Sequence, residues 1–208
     1  MPRNAPVSRG KSLAALVVLL FAAQAVRAYQ YPLHSEDIRN AFFLGERNNF
    51  QTTDRLLQYI HRFVGSQTGR YFVSRISIST PYQQILLRGR RDTPGDSEVQ
   101  TETDLQTHPL EFIVRVRIEW SAGYSGAKAG PRSPWEFPGG STVRVAQESG
   151  IKPVGVRYES FYGRRTPMGE TIELEYDPAQ IDSAPLRIRV RKPDGRFVET
   201  EFNMSELH

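Results

Sequence analysis

The stretch after residue 28 opens with apolar residues at helical spacing. The first set is Ile38, Ala41, Phe42 and Gly45, and the second is Leu56, Leu57, Ile60, Phe63 and Val64. With Ser35 as a cap, the first set predicts a helix over about 36–48. The second predicts a helix over about 52–64, with Arg62 on its polar face. A turn at Asn48 would join the two in an antiparallel helical hairpin.

Beyond residue 69 the apolar period falls to two, which is the spacing of a β-strand. One face of the first predicted strand comprises Phe72, Ser74, Ile76 and Ile78. The clearest strand is 110–120, where apolar and charged residues alternate. For two stretches the pattern fits more than one kind of secondary structure. Residues 82–88 fit a strand or a short helix with Pro81 at its first position, and residues 97–107 fit a capped helix or a loop.

The sequence pattern of the C-terminal part predicts short strands separated by turns. The predicted strands are 142–147, 153–160, 171–176, 185–192 and 196–203. We expect an α+β fold in which the helical hairpin precedes a mainly antiparallel, immunoglobulin-like β-sandwich. The predicted division is a helical and mixed segment at 29–108, packed on the sheet, and a sandwich domain at 109–208.

The last two strands allow a register to be predicted. A three-residue loop at Pro193-Asp194-Gly195, with Gly195 in a left-handed conformation, sets Val190 opposite Val198 and Arg189 opposite Glu199. It likewise sets Arg187 opposite Glu201. A two-residue loop would cross polar with apolar positions and is rejected. The arginine ladder Arg187, Arg189, Arg191 could bind a polyanion, but the glutamates opposite favour a charge-paired, solvated face.

Residues 1–28 have the order of a signal peptide. Basic residues come first, the apolar stretch Leu13–Val26 follows, and small residues precede a cleavage point after Ala28 or, as an earlier option, after Ala25. The apolar stretch has 14 residues, short of the roughly 20 that span a membrane. We therefore expect an exported bacterial protein, periplasmic or secreted, with no transmembrane span after cleavage. The alternative is an uncleaved anchor helix.

Removal of this segment changes the charge balance. The chain has 27 basic and 23 acidic residues, and four of the basic ones lie in 1–28 without any acid, so 23 of each sign remain. The pI of 9.5 would by itself suggest nucleic-acid binding. Because the mature chain is neutral, we do not expect it to bind nucleic acid. The chain has no cysteine, so a core and not disulfides must stabilise it.

Catalytic and metal-binding motifs are weak. The four histidines lack ligand spacing, and no serine-nucleophile elbow, phosphate loop or dinucleotide fingerprint occurs in the mature chain, so we expect neither metal nor cofactor. Ser149 and Lys152 match a penicillin-recognising spacing, but Gly150 and Pro153 place them in a turn. Asp177 precedes Pro178 as a cap would, which is favoured over a calcium site.

The strongest candidate for binding is the glycine- and proline-rich stretch 121–141. Its candidate residues are Tyr124, Arg132, Trp135 and Phe137, and a second aromatic and basic turn adds Tyr162, Arg164 and Arg165. Such side chains could stack on a sugar ring or anchor a partner protein. The alternative is that the aromatic residues pin the loop to the sandwich.

Four stretches carry a resemblance. The segment from Tyr31 to Gly45, the Ser79-Thr80-Pro81-Tyr82 stretch and the later E-L-E-Y-D-P and P-D-G-R-F stretches are similar to a group of uncharacterised secreted proteins of Acidobacteria. The resemblance implies no activity. We expect a non-catalytic binding or structural protein of the cell envelope, whose partner is an envelope protein or a polysaccharide. The rival is a carboxylate-dependent, glycosidase-like envelope hydrolase that uses the 121–141 region.

Overall fold

The computed structural model describes residues 29–63, 71–91, 96–120, 141–147, 150–162 and 167–207. The α-helices are α1 Ser35–Arg47, α2 Phe50–Gln58, α3 Pro81–Arg90 and α4 Glu98–Thr107. The strands are β1 Ile60–Arg62, β2 Tyr71–Ser79, β3 Phe112–Trp120, β4 Thr142–Ala146, β5 Gly155–Tyr162, β6 Pro167–Tyr176, β7 Leu186–Arg191 and β8 Phe197–Phe202. Short 3-10 helices occupy Pro178–Gln180 and Met204–Glu206. None of the helices described has the length and apolar character that a membrane span requires.

The strands form two antiparallel sheets, so the chain has a mixed α+β fold. The larger sheet has the order β1-β2-β3-β6-β5 and the smaller one the order β4-β7-β8. Strands β1 and β2 come from the 29–108 segment but pair in one sheet with strands of the 109–208 segment. The N-terminal segment therefore contributes strands to the larger sheet as well as helices.

Both sheets contribute to a single core. Alternate residues of β3 (Val114, Val116, Ile118) and β7 (Leu186, Ile188, Val190) are completely buried in the same cluster. Tyr29, the first residue described, already belongs to this core, and its amide donates to the Met204 carbonyl oxygen at 3.0 Å. Burial raises the pKa of Tyr176 in this core to about 12.

The helices form a second apolar cluster with a close crossing between α1 and α3. A Cβ added at Gly45 would collide with the Leu86 carbonyl oxygen, and one at Gly89 with the Phe42 carbonyl oxygen. The two glycines thus let the helix backbones touch. Leu56 of α2 joins this cluster. The arrangement differs from the predicted hairpin, because the helix that lies against α1 at this crossing is α3.

The predicted second helix is wrong at its C-terminal end. It ends at Gln58, and Ile60 to Arg62 form β1 antiparallel to Ser77 to Arg75 of β2. Ladder hydrogen bonds to β2 replace the helical ones that the 52–64 pattern would have continued. Phe63 then packs against the sheet core and not along a helix face.

The predicted face of β2 is correct for one half of the strand and wrong for the other. Ile76 and Ile78 are buried as expected, but Tyr71 and Val73 are buried in place of Phe72. The cause is a bulge between Val73 and Arg75, because one extra residue reverses which face the preceding residues occupy.

Both stretches that the sequence left open are helices, since Pro81 starts α3 with Thr80 as its cap and Ser97 caps α4. The predicted cap at Asp177 is confirmed, because Asp177 accepts a hydrogen bond from the Ala179 amide at the first 3-10 helix. The β7–β8 register is confirmed, with Val190 opposite Val198 and Arg189 opposite Glu199. Gly195 has the predicted positive φ of 80°.

Candidate anion-binding face

The side chains predicted to form a binding site lie outside the described residues. Tyr124, Arg132, Trp135 and Phe137 fall within 121–140, and Arg164 and Arg165 fall within 163–166. Tyr162 is described only as the backbone end of β5. The candidate site described below is therefore built from other residues.

Three arginines lie side by side on the larger sheet. Arg62 of β1 is the cross-strand neighbour of Arg75 on β2, and Arg75 is the neighbour of Arg117 on β3. We call these three residues the arginine row. They share the outer face of the sheet, the side away from the core, because Val116 and Ile118 beside Arg117 are fully buried on the opposite side. Neighbouring strands lie about 4.8 Å apart, so three cationic side chains start within about 10 Å.

Two members of the row have no acidic partner among the residues described. Salt bridges within 4.0 Å join other arginines to carboxylates, but none in the described part of the chain involves Arg62 or Arg75. Like charges directly opposite each other on neighbouring strands destabilise a sheet. The arrangement therefore opposes folding locally and would be relieved by a bound anion.

Arg117 is held in place by its neighbours. Its Nε donates to Glu119 Oε1 at 2.8 Å, and its guanidinium lies 3.8 Å from the centroid of the Phe161 ring. A Cβ at Gly169 would collide with that ring, so Gly169 makes the space in which Phe161 lies. One end of the arginine row is thus fixed by a cation–π contact and a hydrogen bond.

The other half of the outer face has matched charges. Arg115 donates to Glu173, and Arg157 pairs with both Glu173 and Glu175. Gly155 leaves the room that the Glu175 carboxylate occupies. Glu173 and Glu175 are largely covered, with 19% and 13% of their side chains exposed. This half is a structural ion network with little unbalanced charge for a ligand.

A groove of about 530 Å³ adjoins the face at Arg115. It is lined by Ser79, Gln84, Leu87, Arg88, Arg91, Asp96, Leu110 and Arg115. Arg88 lies 2.7 Å from both Asp96 and Asp104, and its hydrogen bond lowers the pKa of the Asp104 carboxyl. Gln84 Nε2 donates to the Glu111 carbonyl oxygen at 2.6 Å. The groove adjoins the ion network at Arg115, and its lining includes no member of the arginine row.

The arginine ladder predicted on the smaller sheet is largely charge-paired. Arg187 lies 2.8 Å from Glu201, and Arg189 lies 4.0 Å from Glu199. Arg189 also faces Arg144 across β4, so one like-charge contact occurs there too, but Glu199 balances it from the other side. Glu173 and Glu175, considered as possible neighbours of this ladder, lie on the other sheet.

The described residues give little support to catalysis or metal binding. They contain no group of three or more histidine, aspartate or glutamate side chains that could hold a metal ion. Burial raises the pKa of the Glu170 carboxyl on β6. The two-carboxylate cleft that a hydrolase would need beside Trp135 falls on residues outside those described.

Sequence reasoning missed the arginine row for a specific reason. Arg117 alternates with apolar residues on a strand that was predicted, but Arg62 was assigned to the polar face of a helix. Only the pairing of β1 with β2 brings Arg62 and Arg75 together. The single local signal was the basic residue in each of the three segments.

Comparisons with known proteins find no similar protein. A scan against protein-family models finds no match. Searches of curated protein sequences and of solved structures find none either. The similarity to secreted acidobacterial proteins stays a prediction.

Proposed function

We propose that this chain is an exported, non-catalytic binding module of the bacterial envelope that holds a carboxylate-bearing polysaccharide on the outer face of its larger sheet. The arginine row carries the proposal, because like-charged neighbours lower stability and Arg62 and Arg75 have no acidic partner among the described residues. A planar guanidinium matches a carboxylate through two parallel hydrogen bonds. Residues that cost stability and face solvent together are typical of binding sites.

The spacing of the row favours a polysaccharide over an acidic peptide. Neighbouring arginines start about 4.8 Å apart from strand to strand. In an extended peptide, side chains on one side recur about 6.7 Å apart, since each residue rises about 3.3 Å. One extended acidic peptide therefore does not set a carboxylate opposite every arginine of the row, and a polymer with a carboxylate on each sugar unit is the occupant that we test against polyglutamate.

The fold assigned to this module is an immunoglobulin-like sandwich. Without β1, the sheets read β2-β3-β6-β5 and β4-β7-β8. That order corresponds to the A-B-E-D and C-F-G sheets of a seven-stranded immunoglobulin constant-type domain. Strand β1 adds to the A edge and carries Arg62. The fold itself implies no ligand, so the ligand is argued from the arginines alone.

Export is proposed from the sequence of residues 1–28, and the buried position of Tyr29 is compatible with it. Cleavage after Ala28 would leave Tyr29 as the first residue, in the core and beside Met204. Terminal peptide mapping of protein purified from the expressing bacterium should find a start at Tyr29. A chain that keeps residues 1–28 would contradict the proposal of a cleaved signal.

The binding experiment uses the purified chain and oligogalacturonate, which has one carboxylate per sugar. Calorimetric titration should show binding that weakens as salt rises, and neutral dextran should not bind. Arg75→Gln should weaken binding at least about tenfold, since a charge-assisted hydrogen bond contributes roughly 1.5–3 kcal/mol. The matched control is Arg187→Gln, which removes a paired arginine from the other sheet.

Two results would contradict the proposal. One is that oligogalacturonate does not bind to the folded chain at low salt. The other is equal weakening by Arg75→Gln and Arg187→Gln, which would mean that only total charge matters. The same titration is repeated with polyglutamate. Tighter binding to polyglutamate than to oligogalacturonate would indicate that the partner is an acidic protein.

The rival hydrolase has one observation in its favour, the raised pKa of Glu170. A carboxyl whose pKa is raised by burial holds its proton longer than an ordinary glutamate, which is what a general acid requires. If the chain releases reducing ends from an envelope polysaccharide and Glu170→Gln abolishes that release, the enzyme and not the binding module is correct.

A further inference from the structure

Strand β5 is an edge strand of the larger sheet in the part of the chain that the structure describes. It runs over Gly155–Tyr162, and its only strand partner in the described part of the chain is β6. An edge strand presents unpaired backbone N–H and C=O groups that can accept another strand. At eight residues it is long enough for such pairing.

The core side of β5 is apolar yet open to solvent. Val156 is the neighbour of the buried Leu174, and Tyr158 is the neighbour of the buried Ile172, so all four face the same side. Val156 is nevertheless 45% exposed and Tyr158 is 63% exposed, while Val154 just before the strand is 61% exposed. The three-stranded smaller sheet does not reach over them. A contiguous exposed apolar strip on an unpaired edge is typical of an interaction surface.

The outer side of β5 carries two opposite charges. Arg157 and Glu159 lie two residues apart and therefore on the same side, with Tyr158 between them. Arg157 pairs with Glu173 and Glu175 but keeps 69% of its side chain exposed. Glu159 is exposed and forms no ion pair with any described residue. A strand with this pattern is complementary to itself when it is reversed.

We propose that β5 pairs antiparallel with β5 of a second copy, in the register centred on Tyr158. Arg157 of each copy then lies opposite Glu159 of the other. The two-fold operation places Val156 opposite Ser160 on the apolar side and joins the two larger sheets into one. Opposite charges directly across a strand pair stabilise it.

The charges select this register and this partner. A register centred on Arg157 would set two arginines against each other, and one centred on Glu159 would set two glutamates against each other. Both are unfavourable. Residues 29–208 hold equal numbers of basic and acidic residues, so no long-range repulsion separates two copies. The residues differ from those of the arginine row, and the proposal does not depend on anion binding.

Charge-reversal variants test the proposal. Sedimentation equilibrium of the purified chain, from low micromolar to submillimolar concentration, should show a monomer–dimer equilibrium. Glu159→Arg sets arginine against arginine at both pairs of the interface and should raise the dissociation constant at least about tenfold. Arg157→Glu should do the same. An equimolar mixture of the two variants restores both opposite pairs and should associate as tightly as the unmodified chain.

Controls separate self-association from folding. Circular dichroism and thermal unfolding check that each variant is folded. Arg157→Glu also breaks two ion pairs within the chain, those with Glu173 and Glu175. If this variant fails to fold, Glu159→Gln and Glu159→Arg are compared instead. The neutral variant should weaken association less than the reversed one. A chain that stays monomeric over the whole range overturns the proposal, and so does a folded Glu159→Arg chain that associates as tightly as the parent.

Discussion

The two sheets carry similar arginines in different surroundings. On the smaller sheet, Arg187 and Arg189 of β7 face Glu201 and Glu199 of β8. On the larger sheet, Arg62, Arg75 and Arg117 face one another across three strands. The arginines of the smaller sheet alternate along one strand, and those of the larger sheet are neighbours on three adjacent strands. The first is neutralised by its own neighbours, and the second leaves charge for a ligand.

The difference shows that an arginine's role depends on the strand beside it. The β7–β8 pair is joined by a three-residue loop, so its charges are matched by a local connection. The arginine row combines Arg62 and Arg75 of the consecutive strands β1 and β2 with Arg117, which lies 42 residues beyond Arg75 in the chain. A face built from such long-range pairs is where unbalanced charge can arise without any local sign of it.

The largest expected effect on stability comes from breaking the ion pairs on the larger sheet. Glu173→Gln removes the carboxylate shared by Arg115 and Arg157 and should lower the free energy of unfolding by about 1–2 kcal/mol, since both arginines lose a charged partner. Urea unfolding measures it. The matched control is Glu201→Gln on the smaller sheet, an exposed pair that should change stability by less than about 0.5 kcal/mol. Equal losses would remove the distinction between the two faces.

A smaller effect of opposite sign is expected in the arginine row. Arg62→Glu sets an acid opposite Arg75 and should raise the free energy of unfolding by about 0.5 kcal/mol at low salt. The gain should disappear at about 1 M salt, where screening is strong. Arg187→Glu makes the reverse change on the ladder and should lower stability by a similar amount. A loss of stability in Arg62→Glu would show that the row is not repulsive.

The smallest effect concerns an acid that faces no described cation. Burial raises the pKa of Glu170, so the folded chain binds a proton more tightly there than the unfolded chain does. Stability from this group is therefore present at low pH and is lost as pH rises through the raised pKa. Glu170→Gln should be slightly more stable than the parent at pH 7.

Thermal unfolding over a pH series measures this change. The advantage of Glu170→Gln should vanish as pH falls toward about 4, the ordinary value for a glutamate. Melting curves that differ by the same amount at every pH would contradict the argument.

Sequence patterns predicted the parts of the fold that depend on near neighbours. The β7–β8 register follows from a short loop and from matching side chains, and the cap at Asp177 follows from residue type and from the proline after it. Errors arose where strand pairing overrode the local hydrophobic period. Ile60 to Arg62 fit a helical period, but pairing with β2 makes them a strand. The bulge near Ser74 reversed a face in the same way.

The candidate site was harder to predict than the fold. Its members are ordinary basic residues in three separate segments, and the unfavourable contacts among them appear only when β1, β2 and β3 align. The residues that did attract attention, such as Trp135 and Arg164, lie outside the described part of the chain. Composition gave no help either, because the basic and acidic totals of residues 29–208 cancel.

The hairpin that joins β7 to β8 contains a lysine that the solvent hardly reaches. Lys192 is 3% exposed, and its Nζ donates to the Tyr71 carbonyl oxygen at 3.1 Å, linking the smaller sheet to the first residue of β2. Lys152 is exposed. An amine-reactive reagent should therefore modify Lys152 in the native protein and reach Lys192 only when the sheets separate. The rate at which Lys192 is modified therefore reports how often the core of the chain opens.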